Sequence, residues 1–422
     1  MSGTGLHVVS LASAFGVARV RYSGETRSSV RSSIRSCTIS SEESSLKPVN
    51  SSPRPLNYES TLSSLLSKLS TTLQARSLLQ PEQKVLVAVS GGQDSVSLVF
   101  LLKKLQATWG WKLGIAHCDH QWSSSSRSQA SHVAQIAAHL ELDFYQAVAT
   151  HDVAGESAAR TWRYGVLHRI ASSHGYSAIV TAHTASDRVE TLLHNLFRGS
   201  GLHGLQALTW KRWIFPNAGV TSSNDPSRKE FMDSHSQGGG LVEPRRIALV
   251  RPLLDVSRKD LRDFCDTERL PLWPDPSNFS VNIRRNKIRH QLLPFLRENF
   301  QASIDRSLSR WTEIVSAEDD FLEDLCESIR KQAESSHSYE GGNGSLLKVG
   351  MIRKLHVAVQ RRVIKQFVET FSGRSLGFDL VEHLRITCLV HSCKNGQRFS
   401  LPGNVVLKFL DDNFILFRNH SK

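Results

Sequence analysis

From Lys84 onward the chain alternates short apolar runs with amphipathic stretches. Val85-Leu86-Val87-Ala88-Val89 is apolar throughout, as a strand buried on both faces requires. The next stretch carries Val96, Val99, Leu102 and Leu105 at helical spacing. The alternation repeats, with strands expected over 113–117, 144–148 and 178–182 and helices over 128–140, 156–174 and 186–197. Strands alternating with helices predict an α/β fold: a parallel sheet with helices on both faces. Ligands of such sheets lie beyond the carboxyl ends of the strands. The residues that follow each strand are therefore the candidates for chemistry.

Residues 217–243 break the pattern. They are rich in Ser, Gly, Asn and Asp and include Gly238-Gly239-Gly240, which reads as a disordered surface insertion. Apolar character resumes over 247–254, and 257–269 has a helical pattern. The basic stretch Arg284-Arg285-Asn286-Lys287-Ile288-Arg289 opens a helical region expected to reach about Glu334. Gly341-Gly342-Asn343-Gly344 reads as a linker before a small α+β unit. That unit has helices over 349–371 and 377–391 and strands over 405–409 and 414–417. The expected organisation is a removable segment over 1–45, a linker and leading helix over 46–80, and a catalytic α/β domain over 81–280. A helical connector over 281–340 and a small C-terminal domain over 341–422 complete it.

Charge adds a partner class. Lys plus Arg is 52 and Asp plus Glu is 39, a net charge of +13 over 422 residues. That balance points to a polyanion such as nucleic acid. It is unevenly spread. Residues 1–41 hold five Arg, one acid and eleven Ser, the composition of an organelle transit peptide; the abundance of Ser leans toward chloroplast, with mitochondrion as the alternative. No apolar run reaches the roughly 18 residues of a membrane span, so no membrane role is expected. The six cysteines form no CxxC, which argues against a disulfide framework and a structural zinc site.

Ser90-Gly91-Gly92-Gln93-Asp94-Ser95 joins the first strand to the first helix of the alternation. Its glycines permit close backbone approach. Successive N–H groups and a helix N-terminus can cradle a phosphate there. It is not a Walker A loop, because no GK[ST] follows. Asp94 beside a polyphosphate calls for an intervening cation, assigned here to Mg²⁺; the alternative for Asp94 alone is a favourable helix-start charge. His117-Cys118-Asp119-His120 ends the second strand, at a ligand-facing edge. Glu156, Arg160 and Arg163 share one helix face, where a solvated ion-pair ladder is the alternative. Asp187 and Glu190 lie three apart at the start of a helix, where a second carboxylate could join Asp94 in a metal site.

The loop resembles the PP-loop of the ATP pyrophosphatase superfamily, whose fold is of the adenine nucleotide alpha hydrolase type. Taken together, SGGQDS, HCDH, ESAARTWRY, TAHTASDRVETLLHNLFRGSGLHGL, RPLL and WPDPSNFSVNIRRNKIRHQLLP follow the order found in tRNA(Ile)-lysidine synthetases. The resemblance is strong over residues 81–300 and weaker through Gln360-Arg361-Arg362 and Leu401-Pro402-Gly403. It implies a short-form member. Such an enzyme uses ATP and Mg²⁺ to adenylate the wobble cytidine of the CAU-anticodon isoleucine tRNA. Free lysine then displaces AMP from C2 to form lysidine.

The resemblance implies roles by position. Ser90, Gly91, Gly92, Gln93, Asp94, Ser95, His117 and Arg160 would border ATP. Asp94 and Asp187 would hold Mg²⁺. Asp94, Asp187 and Glu190 would be catalytic, one of them accepting the amine proton. Arg198, Arg285 and Arg289 would meet tRNA phosphates. A homodimer is compatible with all of this. Two departures stand out: Ser186 replaces the first of two usual acids, and the next Arg after His120 is Arg127. They keep a non-catalytic RNA-binding relative open as an alternative. Another PP-loop tRNA-modifying enzyme, such as a thiolase, is the other; paired cysteines, which a thiolase would need, are missing.

Overall fold

The computed structural model describes residues 17–20, 58–149, 155–214, 246–273, 284–339, 342–391 and 393–418. The expected insertion at 217–243, and all of 1–45 except 17–20, lie outside the described residues. The chain divides into two compact units. The first comprises 1–220 and 243–312; the second comprises 221–242 and 313–422.

In the first unit the strands are β1 (Val17–Val20), β2 (Lys84–Ala88), β3 (Lys112–Asp119), β4 (Asp143–Val148), β5 (Ala178–Val180), β6 (Lys211–Ile214) and β7 (Ile247–Val250). They form one sheet in the order β1-β4-β3-β2-β5-β7-β6. The inner five are parallel, and the edge strands β1 and β6 run antiparallel to their neighbours. The helices are α1 (Tyr58–Ala75), α2 (Gln93–Trp109), α3 (Ser126–His139), α4 (Glu156–Ser173), α5 (Ala185–Phe197) and α6 (Arg258–Glu268).

The apolar runs explain the layering. Val85 and Val87 of β2 pack with Leu69, Leu102, Val133 and Phe264 on one face; Leu86 between them packs with Leu167 and Ile170 of α4 on the other. The sheet is thus covered on both sides, as the unbroken apolar strands require. Gly114 in β3 leaves room for Tyr176, whose hydroxyl would stand 2.1 Å from an added Cβ.

Two edge strands were not legible in the pattern. From the sequence, residues 1–45 lie outside the fold, yet the backbone of Val17–Val20 pairs with β4 from Val17↔Ala147 to Val20↔Phe144. An uncovered strand edge offers unpaired N–H and C=O groups to any extended neighbour. β6 is half-exposed at Lys211 and Arg212, so it lacks the apolar run that marks its neighbours.

After β7 and α6 come α7 (Arg284–Lys287), a π-helical segment over Ile288–Leu292, and α8 (Leu293–Asn299). The helical region expected up to about Glu334 is built from these segments, with a break near Gln301 before α9 (Ile304–Ala333). No helix of the described residues is long and apolar enough to cross a membrane.

The second unit contains a five-stranded antiparallel sheet in the order β10-β11-β12-β9-β8. Its strands are β8 (Glu334–Tyr339), β9 (Gly342–Lys348), β10 (Arg398–Leu401), β11 (Val405–Leu410) and β12 (Asn413–Arg418). The expected linker at 341–344 is corrected here: Gly342 to Gly344 begin β9. A Cβ on Gly344 would lie 2.7 Å from the Leu416 carbonyl, so glycine is what admits this close strand approach. Residues 334–339, expected in the helical connector, are strand β8. The sheet packs Leu347, Phe414 and Leu416 against Val363 and Phe367 of the helix Val357–Ser372. In that helix Arg361 pairs with Glu382, and Gln360 donates to the Arg353 carbonyl at 2.8 Å. The small α+β character expected of this end of the chain is present.

Candidate active site

The loop between β2 and α2 is held from its outer side. The Ser90 carbonyl accepts from Gln129 Nε2 at 2.8 Å and the Gly91 carbonyl from the Trp273 N–H at 3.0 Å. Ser95 Oγ accepts from the Ser90 N–H at 3.1 Å and donates to the Gly92 carbonyl at 3.0 Å. Gly91 has φ +94, a conformation open to glycine. The N–H groups of the first turn of α2 have no helical acceptor and are available to an anion. That is the geometry of an anion cradle. His117, buried at the end of β3, bonds through Nδ1 to the Val89 carbonyl at 2.9 Å, bracing the strand from which the loop springs. Burial pushes its pKa down, which keeps the ring neutral.

Asp187 serves two purposes. Its Oδ2 completes a capping box, accepting from the Thr184 N–H at 2.9 Å and the Thr184 hydroxyl at 2.8 Å. Its Oδ1 faces the site, 2.9 Å from Arg258 Nη2. One oxygen thus serves the helix start and the other is left for chemistry. Glu190, one turn later and fully buried, meets Arg289 through two bonds of 2.7 Å each. Asp94 receives Arg258 Nε at 3.3 Å. Three carboxylates from two helix starts thus converge with Arg258, Arg285 and Arg289, and formal charge balances within the cluster.

The balance splits the two aspartates. Burial raises Asp94, helped by Asp187 and opposed by Arg258. Burial also acts to raise Asp187, but Arg258, His183, Arg285 and the Thr184 N–H outweigh it and hold it below the usual carboxylate range. Cys118 behaves differently: burial pushes its thiol up to about 12, so it is neither thiolate ligand nor nucleophile at neutral pH.

Arg258 was not singled out from the sequence. The Ser257–Asp260 capping box that starts α6 is a readable signal, but which way the first-turn arginine points is not. From the sequence, Arg285 and Arg289 are expected on tRNA phosphates. The structure commits both to Asp187 and Glu190, because they are the nearest cations to a fully buried carboxylate. Glu156, Arg160 and Arg163 all lie on α4, but the described ion pairs include no ladder among them: Glu156 meets Arg285 at 3.7 Å. Arg160 instead joins Arg163, Arg212 and Arg251 around Tyr164, a second cluster adjoining the first. Arg198 lies elsewhere, exposed at the end of α5, lining a groove with His194, Phe197, Lys287 and Phe295.

The geometry fits a divalent cation in one respect: the Arg258 guanidinium bridges Asp94 and Asp187, so both carboxylates face a common position of positive charge. Two carboxylates with substrate phosphates and waters are what Mg²⁺ favours.

A family model described as a PP-loop domain matches residues 61–296. A chloroplastic tRNA(Ile)-lysidine synthase from Staurastrum punctulatum is 40% identical over 362 residues, covering 77% of this chain and 73% of that one. Its counterpart from Zygnema circumcarinatum is 38% identical over 381 residues, 84% and 91% of the two chains. A tRNA(Ile)-lysidine synthase from a Nostoc species is 36% identical over 366 residues, 85% and 98%.

Proposed function

The chain belongs to the tRNA(Ile)-lysidine synthase family, with its ATP-utilising PP-loop domain, and on that premise we propose how its own residues divide the work. The reaction is ligation of free lysine to C2 of the wobble cytidine in the CAU-anticodon isoleucine tRNA. ATP is converted to AMP and pyrophosphate. The observation that carries this reading is the convergence of Asp94, Asp187 and Glu190 beside the Ser90–Ser95 cradle.

Cytosine C2 bears a carbonyl oxygen, a poor leaving group. Attack of that oxygen on the α-phosphate of ATP converts it to an adenylate and releases pyrophosphate. The main-chain N–H groups from Gly91 to Ser95 stabilise the charge growing on the departing phosphates. Asp94 and Oδ1 of Asp187 would hold Mg²⁺ in exchange for their contacts with Arg258, and the ion would neutralise phosphate charge. Arg160, within electrostatic reach of Arg285 at the edge of the second cluster, is assigned to the adenylate phosphate. Glu190 and Asp187 receive and orient the lysine amine; only its neutral form attacks, so a carboxylate must take the proton. Asp187, held below the usual range, suits holding cations. The raised Asp94 is the better proton acceptor of the two aspartates.

The groove of Arg198, Lys287, Phe197 and Phe295 supports tRNA contact. Cations with exposed aromatic rings suit the backbone and unstacked bases of a single-stranded loop. Arg285 and Arg289 turn to tRNA phosphates only if substrate entry releases them from Glu190. Plastid localisation is supported by the chloroplastic relatives and by the Arg- and Ser-rich composition of 1–41. The N-terminus of the protein isolated from organelles tests it.

Incubation with ATP, labelled lysine and a CAU-anticodon tRNA is expected to give labelled tRNA, with AMP and pyrophosphate formed in step with it. Pyrophosphate release without label would assign a different nucleophile.

A further inference from the structure

The second cluster has a property the catalytic carboxylates do not share: it is cationic and unmet. Tyr164 of α4 is 2% exposed, and Arg251, directly after β7, is 1% exposed. The guanidinium of Arg212 on β6 lies 5.0 Å from the Tyr164 ring centroid, and that of Arg160 lies 5.5 Å away. Among the described residues none of Arg160, Arg163, Arg212 and Arg251 makes an ion pair with a carboxylate. Tyr164 Oη, Arg251 Nε, and Nε and Nη2 of Arg212 are buried and make no well-aligned hydrogen bond, Arg212 and the Tyr164 phenol lying close to one another. The one side-chain hydrogen bond of Arg251 among the described residues, from Nη1 at 2.5 Å, goes to the neutral Thr209 carbonyl.

Buried donors are almost always satisfied, and a set left open together needs an explanation. Guanidiniums crowded around one phenol, with no carboxylate partner among the described residues, lose further by mutual repulsion. Both point to a ligand with negative oxygens. Burial narrows its shape. A phosphodiester of tRNA needs room for a chain to enter and leave, whereas a terminal oxyanion needs a single approach. ATP presents its phosphates to the Ser90–Ser95 cradle. Lysine is the substrate whose charged end is a terminal carboxylate, and a carboxylate takes paired guanidinium donors well.

The placement also suits lysine. His183 is within electrostatic reach of both Asp187 and Arg251, Arg163 and Arg160, so the two clusters adjoin near that ring. An extended amino acid with an amine at one end and a carboxylate at the other matches that polarity. Resting on the lysidine-forming reading above, we propose that Tyr164, Arg212 and Arg251 form the pocket for the α-carboxylate of lysine. They are specificity residues that select lysine over amines lacking that group.

The test compares wild type with Arg212→Gln and Tyr164→Phe, both retaining much of the side-chain volume, in the lysine-dependent reaction with the full chain. The pocket predicts that KM for lysine rises about tenfold or more in each variant, while KM for ATP stays within about twofold. It also predicts that wild type prefers lysine to cadaverine, which lacks the carboxylate, and that Arg212→Gln narrows this preference. A single cooperative melting transition for each variant establishes that it is folded. A rise in KM for ATP or in the Kd of tRNA, with KM for lysine unchanged, would assign the pocket to a phosphate and overturn the proposal. Unchanged constants throughout, or equal use of lysine and cadaverine by wild type, would overturn it as well. Failure of the family reading looks different: wild type then incorporates no lysine at all.

Discussion

Replacing Arg258 by Met is the perturbation that probes the carboxylate cluster most sharply. The guanidinium contacts Asp94 at 3.3 Å, Asp187 at 2.9 Å and Glu190 at 3.3 Å. Two of those acids keep other cations. Asp187 retains Arg289 at 3.4 Å and Arg285 at 3.6 Å, and Glu190 retains Arg289 at 2.7 Å. Asp94 retains one long contact, from Gln93 Nε2 at 3.5 Å. The loss therefore falls mainly on Asp94. Breaking a fully buried pair costs about 3–5 kcal/mol, while an exposed pair is worth about 0–1 kcal/mol. The side chains of Arg258 and Asp94 are 29% and 24% exposed, between those limits. Arg258→Met is expected to destabilise the ligand-free protein by about 2 kcal/mol, or roughly 4–8 °C in melting temperature for a unit of this size. Because the variant leaves one more acid charge than cation, added Mg²⁺ should stabilise it more than wild type. Thermal unfolding with and without Mg²⁺ measures both effects. A variant within about 0.5 kcal/mol of wild type, the scatter of ordinary surface substitutions, or equal stabilisation of both proteins by Mg²⁺, refutes the reasoning.

Asp94→Asn keeps the shape of the side chain and removes its charge; activity should fall by several kcal/mol of transition-state stabilisation, at least about a hundred-fold, with the melting curve little changed. Gly91→Ala places a Cβ at φ +94 and 3.3 Å from Trp273 Cβ. It should raise KM for ATP and destabilise the loop by about 1–3 kcal/mol, read by kinetics and unfolding together. Burial raises the Tyr164 phenol, but Arg251, Arg160, Arg163 and Arg212 outweigh it and bring it down from 10.0 to about 7. A depressed folded-state pKa contributes stability that is fully present above the unfolded value near 10 and is lost as pH falls through about 7. The stability of wild type relative to Tyr164→Phe should therefore increase between pH 6 and pH 9, on the order of the shift itself; parallel profiles would remove the four arginines from that role.

The parts of this molecule that were legible in the sequence share a physical cause. The inner strands are buried on both faces, so their apolar runs carry the signal; Val85 to Val89 located β2 to within a residue. The loop after it and the acids at Asp187 and Glu190 were readable because they sit at strand-to-helix junctions, where sequence position fixes location. What escaped depended on long-range placement. β6 and β9 have too few apolar positions to announce themselves, and Gly344 looks like a linker residue until the Leu416 carbonyl beside it is seen. Arg258 reaches carboxylates 164, 71 and 68 residues away in sequence, and no local spacing encodes that. The same holds for Tyr164 with Arg212 and Arg251, which come from a helix, an edge strand and a strand end. Arg285 and Arg289 add partners that the sequence does not announce. A basic run suggests a nucleic-acid surface, but the fold turns both toward Glu190.

The central claim is that this chain joins lysine to a tRNA base. It is tested most directly by nucleoside analysis of the CAU-anticodon isoleucine tRNA after incubation with the protein, ATP and labelled lysine. Lysidine at the wobble position, with the label surviving mild alkali, is the predicted result. An unmodified wobble cytidine, or label held only by an alkali-labile ester at the 3′ end, would contradict it.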